Sequence, residues 1–247
     1  MSNAVVYVTS DIHLGAVSRE STTAFLRWLE DAAANASRIV LNGDLFDYWF
    51  EYRRVIPRGY TRTLGLLARI SDAGVRVDLT GGNHDGWGGT YFREELGLHY
   101  HPDPVRLDLA GHRTFLAHGD GLGPGDLGYR ALRVFLRSAP FHQLFRWIHP
   151  DVGGWIADRA SATSGRGAPS RRELARSERL ARWALAELDR DTSLDLILLG
   201  HTHLPRMDRA ESGGWYVNSG DWVRHRSWVE LREGEAPVLH EHDTPTG

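Results

Sequence analysis

The chain of 247 residues contains no cysteine and no lysine, and each absence excludes a kind of chemistry. Without cysteine, a structural zinc site built on thiolates is excluded, and a reducing compartment is favoured. Without lysine, neither a phosphate-binding P-loop nor Schiff-base catalysis is possible. The sequence also lacks the Gly-x-Ser-x-Gly motif in which a hydrolase presents a nucleophilic serine.

Long hydrophobic runs are absent as well. No apolar stretch approaches the roughly 20 residues that span a bilayer, and the first predicted strand begins too early to leave room for a signal peptide. We therefore expect a cytoplasmic protein with peripheral contact on the cytoplasmic face of the inner membrane. The net charge of −3 points to no class of partner, and we expect neither nucleic acid nor an obligate protein partner.

Five polar motifs stand far apart in the chain, and each follows a run rich in Val, Ile and Leu. The runs cover residues 5–8, 38–41, 75–79, 114–117 and 195–199, and their length and composition predict buried strands. The motifs are Asp11-Ile12-His13, Gly43-Asp44-Leu45-Phe46-Asp47, Gly82-Asn83-His84-Asp85, Ala117-His118-Gly119-Asp120 and Gly200-His201-Thr202-His203. Because the carboxyl ends of strands in an open α/β sheet form one crevice, these polar side chains should meet there.

Seven side chains in the motifs carry atoms that bind metals: Asp11, His13, Asp44, Asn83, His118, His201 and His203. Mixed nitrogen and oxygen ligands suit Mn²⁺, iron or Zn²⁺ better than Ca²⁺ or Mg²⁺. Seven ligands are too many for one tetrahedral ion, but they suit two ions that share a carboxylate about 3.5–4 Å apart. The set therefore predicts a two-metal hydrolase.

The order and spacing of the motifs resemble the calcineurin-like metallophosphoesterase superfamily, and the resemblance extends from Asp11 to His203. It implies an α/β fold in which a two-sheet β-sandwich is flanked by helices in four layers, αββα. It also implies two metal positions bridged by Asp44. The first position would be held by Asp11, His13, Asp44 and His203, and the second by Asp44, Asn83, His118 and His201.

The same resemblance implies roles for two further residues. In this superfamily, water activated between the ions attacks phosphorus. His84 would then lie beside the phosphoryl group, where it stabilises charge or protonates the leaving oxygen, and Asp85 would orient its ring.

A narrower resemblance begins after the fourth motif. The run from His118 to Tyr129, together with Gly43-Asp44-Leu45-Phe46-Asp47-Tyr48-Trp49, resembles the UDP-2,3-diacylglucosamine diphosphatase family of lipid A biosynthesis. This implies hydrolysis of an acylated UDP-sugar to UMP and 2,3-diacylglucosamine 1-phosphate, with two divalent ions, most naturally Mn²⁺. It also places Asp47, Asp126 and Tyr129 among the substrate contacts. The best-known branch of that family has Arg at the position of His84 and Glu at that of Asp47, so this chain resembles a branch that keeps the histidine.

Arginine is concentrated in one segment. Residues 127–190 hold twelve arginines against six acidic residues, interspersed with apolar side chains, with a break expected at Pro140 and a capping box at Ser170-Arg171-Arg172-Glu173. We expect a helical cap insertion at about 123–190 within a single domain of residues 1–242, followed by a disordered tail at 243–247. The cap could cover acyl chains while its arginines meet a diphosphate or lipid headgroups. Alternatively, its aromatics pack on the sheet and its arginines are solvated.

Two other functions stay open at this stage. One is a phosphoesterase of the same fold that acts on nucleotides or other phosphodiesters. The other is a non-catalytic scaffold on the metal-binding fold, which the complete set of ligand positions disfavours.

Overall fold

The computed structural model describes residues 5–125, 127–160 and 168–242, so the predicted substrate contact Asp126 and the predicted tail at 243–247 lie outside the described residues. One sheet is built from β1 (Val5–Thr9), β2 (Ala36–Asn42), β3 (Arg76–Thr80), β4 (His99–His101), β10 (Ser227–Leu231) and β11 (Val238–Glu241). Its order is β11-β10-β1-β2-β3-β4, with β1 to β4 parallel and the last two strands antiparallel.

A second sheet contains β5 (Val105–Leu109), β6 (His112–Leu116), β7 (Leu196–Leu199), β8 (Arg206–Arg209) and β9 (Trp215–Asn218). Its order is β5-β6-β7-β9-β8, with three parallel central strands and antiparallel edges. All five apolar runs that precede the motifs form strands, as predicted. The runs at 215–218, 227–231 and 237–239, which have the composition of closing strands, do so too, whereas β4, β5 and β8 were not predicted.

Seven helices accompany the sheets in the described part of the chain. They are α1 (Arg19–Ala33), α2 (Thr61–Asp72), α3 (Tyr91–Glu94), α4 (Leu127–Leu136), α5 (Ala139–Phe145), α6 (Pro150–Ala160) and α7 (Arg171–Arg190). The predicted capping box at the start of α7 is present, with Ser170 and Glu173 exchanging side-chain and backbone hydrogen bonds. Pro140 lies in the first turn of α5, where its missing N–H breaks no hydrogen bond of the helix.

Three apolar clusters hold the layers together. Successive residues of a strand point to opposite faces of its sheet, so Ile39 packs toward α1 and α2 whereas Val40 packs against the second sheet. On the far side of the second sheet, Ile197 contacts α7 through Leu180 and Ala184. The order helix, sheet, sheet, helix confirms the predicted αββα fold class.

The segment of helices α4 to α6 exposes more large apolar side chains than the rest of the described chain. Seven large apolar side chains in this segment are exposed: Leu132, Val134, Phe135, Leu144, Trp147, Val152 and Trp155. Phe145, by contrast, is only 5% exposed, with ring centroids 4.6 Å from Phe50 and 5.2 Å from Trp87. Across the described residues, no helix combines the length and apolar composition that crossing a membrane requires.

Candidate metal centre

The five motifs occupy loops that directly follow β1, β2, β3, β6 and β7. Five of the seven predicted ligands have positive φ angles between 50° and 67°: Asp11, His13, Asp44, His201 and His203. This left-handed backbone is rare outside glycine and costs about 1–3 kcal/mol per residue, so it persists only where surrounding structure enforces it. Hydrogen bonds supply part of this constraint. The N–H groups of Asp11 and His13 donate to the carbonyls of Gly43 and Asp44 at 3.1 and 3.0 Å.

The glycines before the ligands allow the loops to approach one another closely. A Cβ on Gly43 would lie 2.5 Å from Nδ1 of His118, and a Cβ on Gly82 would clash with the carboxylate of Asp44. Neither neighbour can withdraw, because each is itself a predicted ligand. The Gly-Asp and Gly-Asn pairs in the motifs are therefore a packing requirement of the site.

The first predicted position is assembled around Asp11. Its Oδ1 lies 3.4 Å from Nε2 of His203 and 3.9 Å from Nε2 of His13, and these three residues form a group with the geometry of a metal site. Asp11 and His13 are buried, and among the described residues Oδ1 of Asp11 and Nε2 of His13 have no hydrogen-bond partner. Buried polar atoms that lack a partner are costly, and a cation would satisfy both.

The second predicted position centres on His118. Its Nε2 lies 3.2 Å from Oδ2 of Asp44 and 3.2 Å from Oδ1 of Asn83. The ring of His201 stands edge-on to that of His118, with centroids 5.2 Å apart. Asp44 also approaches the first group, with Oδ2 3.7 Å from Nε2 of His13. All seven predicted ligands thus converge, and Asp44 lies between the two groups.

Electrostatics in the cluster depend on the contacts between carboxylates and imidazoles. Burial alone would raise the pKa of Asp44, but the neighbouring His118, His13 and His84 hold it well below its usual range. Burial likewise opposes protonation of His118, yet Asp44 and Asp11 raise its pKa well above the ordinary value. For His201, burial and the neighbouring His118 outweigh the anions Asp120 and Asp44 and lower its pKa to about 3. Asp44 therefore stays ionised, and a divalent cation would take the place of the proton that it holds on His118.

Oxygen acceptors fix the orientation of three of the four predicted ligand imidazoles. Nδ1 of His118 donates to the carbonyl of Asn42 at 3.0 Å, that of His203 to Asp221 at 3.1 Å, and that of His13 to Asp47 at 3.2 Å. A histidine that donates from Nδ1 keeps Nε2 free to bind a metal. The residues present therefore fit two divalent ions held by nitrogen and oxygen.

Comparison with known proteins agrees with this geometry. A family model described as calcineurin-like phosphoesterase matches residues 4–205. The chain belongs to the calcineurin-like phosphoesterase family. A protein of Porphyromonas gingivalis named UDP-2,3-diacylglucosamine hydrolase is 33% identical over 252 aligned residues, which cover 95% of this chain and 96% of the relative.

Other matches extend over similar lengths of this calcineurin-like phosphoesterase. A protein of the same name from Ralstonia nicotianae is 32% identical, over 93% of this chain and 90% of the relative. Among solved structures, a dimetal phosphatase from Danio rerio aligns with 98% of this chain and 100% of its own, at 11% identity and a TM-score of 0.47.

His84 and Asp85 do not interact in the expected way. The sequence suggested that Asp85 orients the His84 ring, but Nδ1 of His84 instead donates to the backbone carbonyl of Asp47 at 2.8 Å. The Asp85 carboxylate is buried and accepts backbone N–H groups from Leu45 at 2.7 Å and Gly82 at 2.8 Å. Asp85 therefore joins the loops after β2 and β3 and does not direct the imidazole.

Asp47, a predicted substrate contact, lies beside two histidines of the centre, and its contact with the substrate stays a prediction. Its carboxylate accepts from His13, and the His84 ring lies 3.6 Å from the same oxygen. His84 itself forms a compact group with His13 and Asp44, and its backbone N–H donates to Asp44 at 2.9 Å. Asp47 thus supports two imidazoles of the centre.

Tyr129 lies on α4 and faces the loop after His118. Its hydroxyl donates to Oδ2 of Asp120 at 3.0 Å, and burial together with that carboxylate raises the pKa of Tyr129. The spacing of the motifs does not predict this contact between Tyr129 and Asp120.

Residues beyond the five motifs also contribute. Asp221, behind His203, belongs to the segment Asn218-Ser219-Gly220-Asp221-Trp222, which begins with the last residue of β9. The amide of Asn218 donates to the carbonyl of Gly200 at 2.7 Å and so fixes the last motif. An acidic residue following a buried strand was the available signal for Asp221, but its partner could not be read from spacing.

Proposed function

We propose that this protein is a metal-dependent hydrolase that cleaves the pyrophosphate bond of UDP-2,3-diacylglucosamine, giving UMP and 2,3-diacylglucosamine 1-phosphate in lipid A biosynthesis. The observation that carries the proposal is the convergence of all seven predicted ligands on one buried centre. The substrate is supported by the relatives named UDP-2,3-diacylglucosamine hydrolase, which match more than 90% of the chain.

The proposed cofactors are two divalent ions, with Mn²⁺ favoured by the mixture of imidazole, carboxylate and amide ligands. Asp11, His13, Asp44 and His203 would hold one, and Asp44, Asn83, His118 and His201 the other. Bound there, two ions would lower the pKa of water and stabilise both oxygens of an in-line displacement. The protein supplies fixed ligand orientations, through the acceptors on Nδ1 of three histidines.

His84 is the proposed group that acts on the substrate directly. Its Nδ1 is held by the carbonyl of Asp47, and its side chain is 18% exposed. The other ring nitrogen is therefore the one that can stabilise or protonate a leaving phosphoryl oxygen. Asp85 contributes by positioning the loop that carries His84.

A groove beside the centre supports an acylated substrate. Its volume is about 530 Å³. The walls include Tyr48, Ile56, Tyr60 and Trp155, and it reaches Asp47 at the metal centre. Volumes of about 300–1,000 Å³ are typical of ligand sites. We propose that acyl chains lie along this groove.

The exposed apolar residues of α4 to α6 support the proposed membrane location. They would lie against the inner membrane on its cytoplasmic face, where the acylated substrate resides, while the charged centre stays at the interface. Phe145 is not part of this surface, because it packs against Phe50 and Trp87.

The proposal is tested by incubating metal-stripped protein plus Mn²⁺ with UDP-2,3-diacylglucosamine and measuring UMP release. A deacylated UDP-sugar and a generic phosphodiester are run in parallel. We expect rapid release from the acylated substrate and none from the Asp44→Ala variant. Hydrolysis of the generic ester alone would discard the substrate, and inactivity on all three would favour a scaffold.

A further inference from the structure

The ligands of the second predicted metal position come from different sheets. Asn83 follows β3 of the six-stranded sheet, whereas His118 follows β6 of the five-stranded sheet. Their ligand atoms lie 3.2 Å apart. A relative shift of the two loops would therefore change the geometry of this position directly.

Helix α4 crosses both loops and presents three arginines to them. Arg130 and Arg133 lie in α4, and Arg137 directly follows its last residue, with its N–H donating to the carbonyl of Arg133 at 2.9 Å. The spacing of three and four residues places all three on one helix face. Arg133 donates to the backbone carbonyl of Asp120 at 3.0 Å, and its Nε lies 3.2 Å from the Asp120 carboxylate. Arg130 donates to the carbonyl of Gly121 at 2.7 Å. Two arginines thus hold the loop that carries His118.

The third arginine holds the loop that carries Asn83. Arg137 donates to the carbonyl of Gly82 at 2.9 Å and to that of Pro102 at 2.6 Å. A Cβ on Gly86 would lie 2.5 Å from the same guanidinium, so the absence of a side chain there leaves room for Arg137. One helix therefore binds both loops through planar groups that offer several donors each.

Arg133 and Arg137 are not solvated surface groups. The side chains of Arg133 and Arg137 are 20% and 16% exposed, and their donors are directed at backbone and carboxylate oxygens. In the described part of the chain, the three apolar clusters include no residue of α4. Charge-assisted hydrogen bonds, which are stronger than neutral ones, therefore contribute much of the attachment of α4 to the two loops.

We propose that Arg133 and Arg137 are positioning residues that set the affinity of the second metal position by holding the Asn83 and His118 loops in register. The inference rests on the proposed two-metal function. It predicts that loosening either arginine weakens the second ion selectively, because the ligands of the first position lie on loops that neither arginine contacts.

The test is calorimetric titration of Mn²⁺ into metal-stripped protein. Wild type is compared with Arg133→Ala, Arg137→Ala and Arg137→Lys, and with Arg62→Ala, which removes an exposed arginine from α2. We expect the first ion to bind as in wild type and the second to bind about 10- to 100-fold more weakly in the two alanine variants, as for other groups that orient metal ligands. Arg137→Lys keeps the positive charge but loses the planar guanidinium with its several donors. Its affinity for the second ion should therefore lie between those of wild type and Arg137→Ala.

Turnover provides a second readout. UMP release by the alanine variants should be low at limiting Mn²⁺ and should recover in excess Mn²⁺, which a general folding defect would not do. Thermal unfolding of each variant checks the fold. Unchanged affinity for both ions, or equal weakening of both, would overturn the positioning role of Arg133 and Arg137 but leave the proposed function standing. A wild-type protein that binds fewer than two ions would overturn the proposed function together with it.

Discussion

His203 donates from Nδ1 to the buried carboxylate of Asp221 at 3.1 Å, while its Nε2 lies 3.4 Å from Asp11. The imidazole is therefore held between a predicted ligand and an acceptor that the motifs do not contain. Asp221 also accepts backbone N–H groups from Arg224 and His225 at 2.9 Å each. It is anchored before any ion binds.

This anchoring predicts the effect of removing the carboxylate. Asp221→Ala should weaken Mn²⁺ binding by about 10- to 100-fold, because the His203 ring loses the group that fixes its tautomer and direction. Titration of metal-stripped protein measures the change, with the exposed Asp72→Ala as the control. Wild-type affinity in Asp221→Ala would show that the ring is held sufficiently by other contacts.

His84 should affect turnover without affecting metal content. His84→Ala is expected to lower kcat by about 10²- to 10⁴-fold, the usual contribution of a general acid, while two Mn²⁺ ions still bind. Rate measurements on UDP-2,3-diacylglucosamine and metal analysis of the same preparation decide the matter. Since His84 also groups with His13 and Asp44, loss of an ion would instead make it a ligand.

The exposed apolar surface predicts a dependence on acyl chains. Trp147→Asp is expected to lower kcat/KM on vesicle-borne diacylated substrate about tenfold or more, since burying one large apolar side chain is worth roughly 1.5–3 kcal/mol. Activity on a deacylated UDP-sugar should not change. Met207→Asp, at an exposed apolar residue of β8, is the matched control. If Trp147→Asp and wild type were equally active on vesicles, this surface would have no part in binding the substrate.

Asp78 should contribute strongly to stability. Its buried carboxylate accepts from Arg38 at 2.7 Å and Arg76 at 3.0 Å and lies 2.7 Å from His101. Removing one partner of a buried charge pair costs about 3–5 kcal/mol, so Asp78→Ala should lower the free energy of unfolding by about that amount. Urea denaturation measures it, with Asp72→Ala as the control.

The same carboxylate gives a pH dependence. Although burial opposes ionisation, His101, Arg38 and Arg76 hold the pKa of Asp78 well below its usual range. The unfolded chain therefore binds this proton more readily, and the stabilisation is complete above the ordinary Asp value of about 4. It should diminish as the pH falls from there toward the depressed folded value. Urea denaturation measured at intervals of about one pH unit between pH 3 and pH 6 should show that wild type loses stability more steeply than Asp78→Ala as the pH falls.

The sequence by itself determined the fold class and the meeting of the ligands. Apolar runs predict strands, and the residues that follow neighbouring parallel strands lie at one edge of a sheet, so Asp11 and Asp44 had to converge. The helix break near Pro140 and the capping box that begins at Ser170 could also be predicted from the sequence, because each depends on residues only a few positions apart.

Only the tertiary structure decided which groups support the ligands. Adjacent residues in a motif point in different directions, so Asp85 bonds to backbone N–H groups while Asp47, from another loop, holds His84. The contacts of Arg137 with Gly82 and of His203 with Asp221 join segments that are distant in sequence. Hydrogen bonds require donor and acceptor within about 3 Å, and spacing along the chain does not specify distances of that kind between separate loops.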